Sequence, residues 1–254
     1  MSSTRIQLSH EKLLDAIGDR WSPAEVSAAA DLLAGGDGKF PSGIRSLPTD
    51  LVSAIQRERI LAAILRATAE LGYREMNVQD VLVRAGVSRP TFYEQFKNKE
   101  HCFLTALDSA AAKLRRRIDG AITTAEGSWR ERLRCGLEEL LRFVAEEPDA
   151  AATLVIEARA ACPEALVRRD ELLDHFAACL DRNVREELPE GFAPSAISAA
   201  GVVGGVEALL YSRLNREEAT DLDSLLPSLM YFAVLPYEGH EAAAEELAVP
   251  AQAV

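Results

Sequence analysis

The stretch that decides the fold runs from Val78 to Glu100 and reads VQDVLVRAGVSRPTFYEQFKNKE. It predicts a short helix over Val78–Ala85, capped by Asn77, because an Asn side chain can accept a backbone N–H of the first turn. Gly86 follows, and Gly readily takes the positive φ that a sharp corner needs. Two short helices around such a turn form a helix-turn-helix, the unit that can place its second helix in the major groove of DNA.

The second helix of this motif begins after Ser88, another predicted cap. Pro90 follows at an early helical position, where its missing N–H costs no hydrogen bond. Phe92 and Phe96 are four residues apart, so they form an apolar stripe that we expect in the core. The outward side chains can all bond bases or phosphates: Arg89, Thr91, Tyr93, Gln95 and Lys99. On pattern alone, an ordinary helical hairpin with a solvated polar face is the alternative.

Charge is distributed unevenly along the 254 residues, which carry a formal net charge of −12. Residues 55–117 hold twelve Lys and Arg against seven Asp and Glu, whereas residues 1–54 have a net charge of −2 and residues 118–254 one of −15. The one basic segment therefore contains the motif. This coincidence suggests a DNA-facing domain on an acidic body, rather than a helical surface that is acidic for no functional reason.

Apolar periodicity predicts an all-α fold and indicates no strands. Residues 1–54 form an extension that is partly helical or disordered, with a capped helix start at Ser22–Glu25 and a glycine-rich break at Gly35–Gly38. This extension could pack on the next domain or carry an arm to DNA. Residues 55–100 form a three-helix, helix-turn-helix domain, whose first helix runs from Ala54 to Leu71.

The remaining chain is predicted to form a helical body over residues 101–238 and a flexible acidic tail over residues 239–254. The helix that begins after Asn98 and runs towards Arg117 leads from the motif into the body, so it is the predicted mechanical link. Several side chains of the 128–188 helices are candidates for a binding pocket: Trp129, Phe143, Leu154, Arg159, His175 and Phe176. A Trp or Phe at helical spacing is, however, more often a core residue.

Enzyme chemistry has little support in the sequence. The four His residues lack partner spacing, and no phosphate-binding loop, nucleophile elbow or metal motif is present. The four Cys residues form no CxxC pair, so they are predicted to be small core or semi-exposed residues. We predict no catalytic residue, no metal and no cofactor. The N-terminus lacks an apolar signal region and no run of 18 apolar residues occurs, which favours a cytoplasmic protein without a membrane span.

The segment from Arg57 to about Leu107 resembles the TetR family of one-component bacterial transcriptional regulators. The residues that carry the resemblance are Gly86-Val87-Ser88, Thr91-Phe92-Tyr93, Phe96 and Lys99-Glu100. Several spaced positions agree at once, so the resemblance is specific. The all-α remainder is compatible with the variable ligand-binding domain of that family but carries no diagnostic motif.

The resemblance implies roles for individual residues. One group would face base edges or the groove wall: Arg89, Pro90, Thr91 and Gln95. A second group would bind phosphates: Asn77, Ser88, Tyr93 and Lys99. Glu94 departs towards acidity, and it could bond a cytosine amino group or point away from DNA.

The resemblance also implies a homodimer, because two recognition helices must lie about one helical turn apart to read a palindrome. The family usually dimerises through its last two helices, which here correspond to segments 194–214 and 222–235; the alternative is that both are buried within one chain. The implied function is a DNA-binding transcriptional regulator, a repressor released from a palindromic operator by an unknown small-molecule effector. The alternative is a ligand-independent DNA-binding dimer with a purely structural C-terminal domain.

Overall fold

The computed structural model describes residues 48–188, 194–195, 197–216 and 222–249, together with isolated residues of the N-terminal extension: Leu8, Leu13, Ile17, Trp21, Ser22, Glu25 and Val26. Within these residues the regular structure consists of α-helices and short 3₁₀ turns, which confirms the all-α prediction. The chain divides into two compact units, Met1–Ala106 and Leu107–Val254. The predicted break at Gly35–Gly38 lies outside the described residues.

The first unit contains α1 (Thr49–Leu71), α2 (Val78–Ala85) and α3 (Arg89–Gln95), and α4 (Lys99–Thr124) begins within it. The bounds of α2 agree with the sequence prediction. Helix α1 starts five residues before the predicted Ala54, because its first turn already carries buried apolar side chains.

Local hydrogen bonds explain the start and end of α2. The Asn77 side chain accepts the backbone N–H of Gln79, and the Asp80 carboxylate accepts the backbone N–H of Asn77, both at 2.8 Å. This reciprocal pair satisfies two donors that the first turn of a helix leaves free. At the other end Gly86 has φ +65°, as the predicted turn requires.

The core of the first unit forms between α1, α2, α3 and the first turns of α4. Its largest members have almost no exposed surface: Ile60, Ile64, Val81, Phe92, Phe96 and Phe103. Helix α1 packs along α2, so the helix-turn-helix rests on the apolar face of α1.

The N-terminal extension adds a second apolar cluster to this unit. Leu13 and Val26 are buried together with Leu51 and Ile55 of α1. The Ser22 backbone N–H donates to the Glu25 carboxylate at 2.9 Å, which confirms the predicted helix start there. The described part of the extension therefore packs on the first turns of α1.

The second unit is built from the remaining part of α4 and five further helices: α5 (Trp129–Glu146), α6 (Pro148–Val155), α7 (Pro163–Arg185), α8 (Ser198–Asn215) and α9 (Leu226–Glu246). Short 3₁₀ turns occur at Glu157–Arg159 and Asp223–Leu225. Helix α7 packs against α8, and α9 packs against α5 and α8. Pro148 and Pro163 start their helices at the first position, where proline costs no hydrogen bond.

The end of α9 differs from the predicted flexible tail over 239–254. The backbone of Gly239 leaves the helical conformation, with φ 81° and ψ −176°, and the helix then resumes to Glu246. Glu246 is buried because its carboxylate pairs with Arg130 and Arg134 of α5. At least one acidic residue of the predicted tail, Glu246, is therefore an ion-pair partner of α5 and not a solvated side chain. Residues 250–254 lie outside the described residues.

Candidate nucleic-acid interface and cavity

Helix α3 buries its two phenylalanines and exposes its polar side chains. Phe92 is fully buried and Phe96 has 1% of its surface exposed, which confirms their predicted place in the core. Arg89 and Pro90 are exposed, and Tyr93 has 49% of its surface exposed. An exposed helix with an arginine and a tyrosine on its outer face can bond the edges of bases and the phosphates beside them.

The starts of α2 and α3 are linked by side-chain hydrogen bonds. The Arg89 guanidinium donates to Gln79 Oε1 at 3.4 Å. Ser88 Oγ accepts the Thr91 backbone N–H at 3.2 Å and lies 2.8 Å from Thr91 Oγ1. Asn77, the cap of α2, is exposed as well. Sequence reasoning missed Gln79, because the distance to Arg89 depends on the angle between two helices, which residue spacing does not encode.

Two of the predicted DNA contacts have partners within the first unit. Gln95 Nε2 donates to Ser53 Oγ at 2.5 Å. The Lys99 ammonium donates to the carbonyl oxygens of Tyr73 and Met76, both at 2.9 Å, and lies 4.4 Å from the centre of the Tyr73 ring. Lys99 therefore holds the loop between α1 and α2, a structural role that the family resemblance did not imply.

Part of the positive charge of segment 55–117 is neutralised inside the protein. The buried Arg84 side chain donates to the Glu70 carboxylate at 2.6 Å, and Arg66 donates to the same carboxylate at 2.8 Å. The hydrogen bonds from Arg66 and Arg84 hold the pKa of Glu70 below its usual value. Two exposed cations are not part of this cluster of ion pairs: Arg89 at the start of α3 and Lys97 just after its end.

A cavity of about 140 Å³ lies within the second unit. Its wall is almost entirely apolar and comes from α4 to α9. Three members belong to α4, namely Leu114, Ile118 and Ile122, and the others include Leu133, Leu137, Leu172, Leu180, Val206 and Leu210. An apolar cavity of this size can hold a group as large as a benzene ring.

Three of the six predicted pocket residues line this cavity, namely Trp129, Leu154 and Phe176. The other three point elsewhere. His175 Nε2 lies 3.0 Å from the Asp119 carboxylate of α4. His175 therefore lies outside the cavity wall, although its neighbour Phe176 is part of it. The Phe143 side chain is buried beneath the Arg117 guanidinium, 5.7 Å from its ring centre.

Polar groups are few at the cavity wall, and the charged ones are Arg169 and Glu207. Arg169 Nη2 lies 2.9 Å from Glu207 Oε1. Arg159, which does not line the cavity, pairs with the same carboxylate and lies 4.7 Å from the centre of the Tyr211 ring. Sequence reasoning missed both lining residues, because Arg169 and Glu207 are far apart in the chain and meet only where α7 packs on α8.

An apolar face of α8 and α9 is exposed to solvent in the single chain. Leu209 of α8 has 47% of its surface exposed, and Phe232 and Leu235 of α9 have 36% and 37%. An added Cβ at Gly205 would meet the Phe232 ring at 2.5 Å, so this glycine permits the close packing of the two helices. An added Cβ at Gly204 would meet nothing within 4 Å. These exposed residues fall within the predicted dimerisation segments.

Over the part of the chain that the structure describes, no group of three His, Cys, Asp or Glu side chains could hold a metal ion. No helix there is long and apolar enough to cross a membrane. The cysteines are free thiols, and burial raises the pKa of Cys102 and Cys179, which disfavours the reactive thiolate.

Comparisons with known proteins agree with this arrangement. Residues 60–106 match the family described as "Bacterial regulatory proteins, tetR family". The chain is 29% identical over 140 residues to the HTH-type transcriptional regulator EthR of Mycolicibacterium smegmatis, a match over 55% of this chain and 64% of that protein. It is 25% identical over 214 residues to the HTH-type transcriptional activator FasR of the same organism, over 77% of this chain and 89% of FasR.

Solved structures share the fold at lower identity. The fatty acid degradation regulator FadR from Bacillus halodurans has a TM-score of 0.63 and 19% identity, over 72% of this chain and 95% of that protein. FadR from Bacillus subtilis, solved in complex with stearoyl-CoA, has a TM-score of 0.61 and 22% identity, over 71% of this chain and 97% of that one. By name, these relatives are regulators. In the matched motif, in its capped geometry and in the helical second unit, the chain is similar to the tetR family of bacterial regulatory proteins.

Proposed function

We propose that this protein is a homodimeric transcriptional repressor, which binds a palindromic operator and is released from it by an apolar small-molecule effector. The observation that carries the proposal is the shared use of α4. This single helix begins at Lys99, beside the helix-turn-helix, and its residues Leu114, Ile118 and Ile122 line the apolar cavity.

The DNA contact is assigned to the exposed side of the helix-turn-helix. Arg89 and Thr91 at the start of α3 read base edges, with Pro90 against the groove wall. Tyr93 and Ser88 bind phosphates, and Asn77 brings the start of α2 to the backbone. Gln95 reaches DNA by exchanging its bond to Ser53 for one to the groove.

The homodimer is assigned to the exposed apolar face of α8 and α9. Leu209, Phe232 and Leu235 are large apolar side chains that the single chain leaves partly in water, and a partner subunit would cover them. The open space above Gly204 lets a second backbone approach closely. Dimerisation supplies the two recognition helices that a palindrome needs.

The effector acts on α4 through the cavity. A ligand that binds the released state more tightly than the DNA-bound state shifts the population by that difference in affinity. Displacement of Leu114, Ile118 and Ile122 moves α4 and so changes the spacing of the recognition helices. The FadR structure with stearoyl-CoA supports an effector that carries an acyl chain, because hydrocarbon suits this cavity wall.

The DNA assignment is tested with an operator selected from random double-stranded DNA. Arg89→Ala should weaken binding to the selected site by about 1–3 kcal/mol while leaving binding to unrelated DNA nearly unchanged, since a bidentate arginine contributes mainly to discrimination. Arg216→Ala removes the same charge from an exposed position of the second unit and serves as the control. The affinities are measured by fluorescence anisotropy on the selected operator and on unrelated DNA. If Arg89→Ala and wild type have equal affinities for both, α3 does not read the operator.

The effector assignment is tested by thermal-shift screening of apolar metabolites, followed by titration of the operator complex. A compound that stabilises the protein and lowers operator affinity supports the repressor. A compound that stabilises it and raises operator affinity indicates an activator, the role that the name of FasR gives that relative. If no apolar compound stabilises the protein or alters operator affinity, the second unit is a structural dimerisation domain.

A further inference from the structure

The charged groups at the cavity wall are already paired within the protein. Arg169 and Glu207 are the charged residues that line the cavity, and they are bonded to each other. Glu207 has 8% of its surface exposed; its Oε1 accepts from both Arg159 and Arg169, and its Oε2 accepts from Arg159. The remaining Arg169 nitrogen donates to Asp170 at 2.7 Å. Two guanidinium groups are therefore balanced by two carboxylates.

The Asn183 amide at the wall is also bonded within the protein. The Asn183 amide nitrogen donates to the Cys179 carbonyl oxygen at 2.9 Å. The Asn183 amide oxygen accepts from Arg132 Nε, also at 2.9 Å. A ligand that enters the cavity therefore finds each of these polar groups already bonded within the protein.

These bonds determine what the cavity accepts. A carboxylate that leaves water needs donors to replace its hydration, and an unpaired carboxylate in an apolar site is strongly disfavoured. It would compete with Glu207 for the two arginines. Displacement of Glu207 would leave a second carboxylate buried without partners. A hydrocarbon chain or an uncharged alcohol, ester or thioester group makes no such demand.

We infer that Glu207 is the specificity-determining residue of the effector cavity. It neutralises Arg159 and Arg169, and it so selects ligands whose buried part is uncharged over the corresponding ionised carboxylates. This inference rests on the proposed effector role of the cavity. Glu207 sets the net charge of the cavity wall. Without its negative charge, two guanidinium groups would be free to bind a ligand carboxylate, which is their usual bidentate partner.

The test compares 1-octanol with octanoate, which share a chain and differ in charge at pH 7. Calorimetry on the full chain without DNA should give wild-type protein at least tenfold higher affinity for 1-octanol. In Glu207→Gln this ratio should fall at least tenfold or invert. Glu164→Gln, an exposed change at the start of α7, should keep the wild-type ratio. A ratio unchanged in a folded Glu207→Gln protein, or equal affinities in the wild type, would overturn the inference.

A second measurement does not depend on the variant. If the cavity takes only the neutral acid, the apparent affinity of wild-type protein for octanoic acid should rise roughly tenfold per pH unit from pH 7 towards pH 5.5, because the protonated fraction grows by that factor. The affinity for 1-octanol should stay level over the same range. An octanoate affinity that is independent of pH would show that the cavity accepts the carboxylate.

Parallel titration of the operator complex separates this inference from the proposed function. If the wild type prefers 1-octanol, and Glu207→Gln does not, while neither ligand alters operator binding, Glu207 selects the ligand but the cavity is not a regulatory site. If both ligands release the operator with equal potency, the regulatory site stands and the role of Glu207 is wrong. If neither ligand binds, both proposals fail.

Discussion

Lys99→Met separates a structural lysine from a DNA-contacting one. The substitution keeps most of the apolar stem but removes the ammonium, which donates to the Tyr73 and Met76 carbonyl oxygens at 2.9 Å each. A hydrogen bond from a charged group contributes about 1.5–3 kcal/mol. Because this ammonium is only partly buried, we expect the two bonds together to contribute about 2–3 kcal/mol, including its contact with the Tyr73 ring.

Hydrogen exchange of the loop and of α2 is the appropriate assay, since it reports local opening. A loss of about 2–3 kcal/mol should speed exchange of backbone amides over residues 73–85 by about 30- to 160-fold. Lys97→Met is the matched control, because Lys97 is exposed on the same segment and the change should leave exchange there near the wild-type rate.

The salt dependence of operator binding completes the test. If Lys99 acts within the protein, the slope of log affinity against log salt should be the same in Lys99→Met and wild type, once the fraction of folded protein is accounted for. The reasoning would be refuted by unchanged hydrogen exchange together with a slope that falls by about 0.9, the value for one lost phosphate contact. Lys99 would then be a phosphate ligand, as the family resemblance implies.

Three further predictions concern the interface, the alkaline limit and the extension. Gly204→Leu should dissociate the homodimer in analytical ultracentrifugation without loss of helix content. Gly120→Leu is the control and should remain a dimer, since an added Cβ is unobstructed at both positions. A dimer in both variants would exclude this part of α8 from the interface. The buried Tyr237 hydroxyl has no hydrogen-bond partner among the described residues, so Tyr237→Phe should raise the free energy of unfolding at pH 7 by about 1 kcal/mol. Burial raises the pKa of Tyr237 to about 12, so the unfolded chain ionises first and wild-type stability should fall between about pH 10 and pH 12. In urea titrations, Tyr237→Phe should lack the part of this fall that comes from Tyr237. Identical pH profiles of the two proteins would contradict the prediction. Leu13→Asp places a carboxylate in the apolar cluster on α1 and should lower the free energy of local unfolding there by about 3 kcal/mol or more. Hydrogen exchange should become faster in the first turns of α1 and stay unchanged in α5. Unaltered exchange in α1 would show that the extension does not stabilise this helix.

The helix-turn-helix could be predicted because its determinants are local. Asn77, Gly86, Ser88 and Pro90 act within one or two turns of themselves, through caps, a positive φ and a proline at a helix start. The burial of Phe92 and of Phe96 four residues later follows from the helical repeat as well. These features need no knowledge of the rest of the chain.

The candidate cavity could be predicted only in part. Periodicity shows which side of a helix is apolar, and this was sufficient to select Trp129, Leu154 and Phe176. It does not show which of several apolar faces meet around an empty volume, or that His175 turns to Asp119. The pairing of Arg169 with Glu207 depends on the packing of α7 against α8, so it was absent from the sequence prediction.

The sequence by itself therefore determined the all-α class and the position of the helix-turn-helix, because short-range hydrogen bonds and helical periodicity encode them. The tertiary structure alone decided which polar side chains remain free to meet DNA or a ligand. Lys99 and Gln95 have the chemistry of DNA contacts, yet both bond to neighbours from α1 and the loop that follows it. Glu246 belongs to an acidic segment whose composition predicts exposure to solvent, yet its carboxylate is buried against α5. A charged side chain takes the partner that folding brings within reach, and residue spacing does not specify that distance.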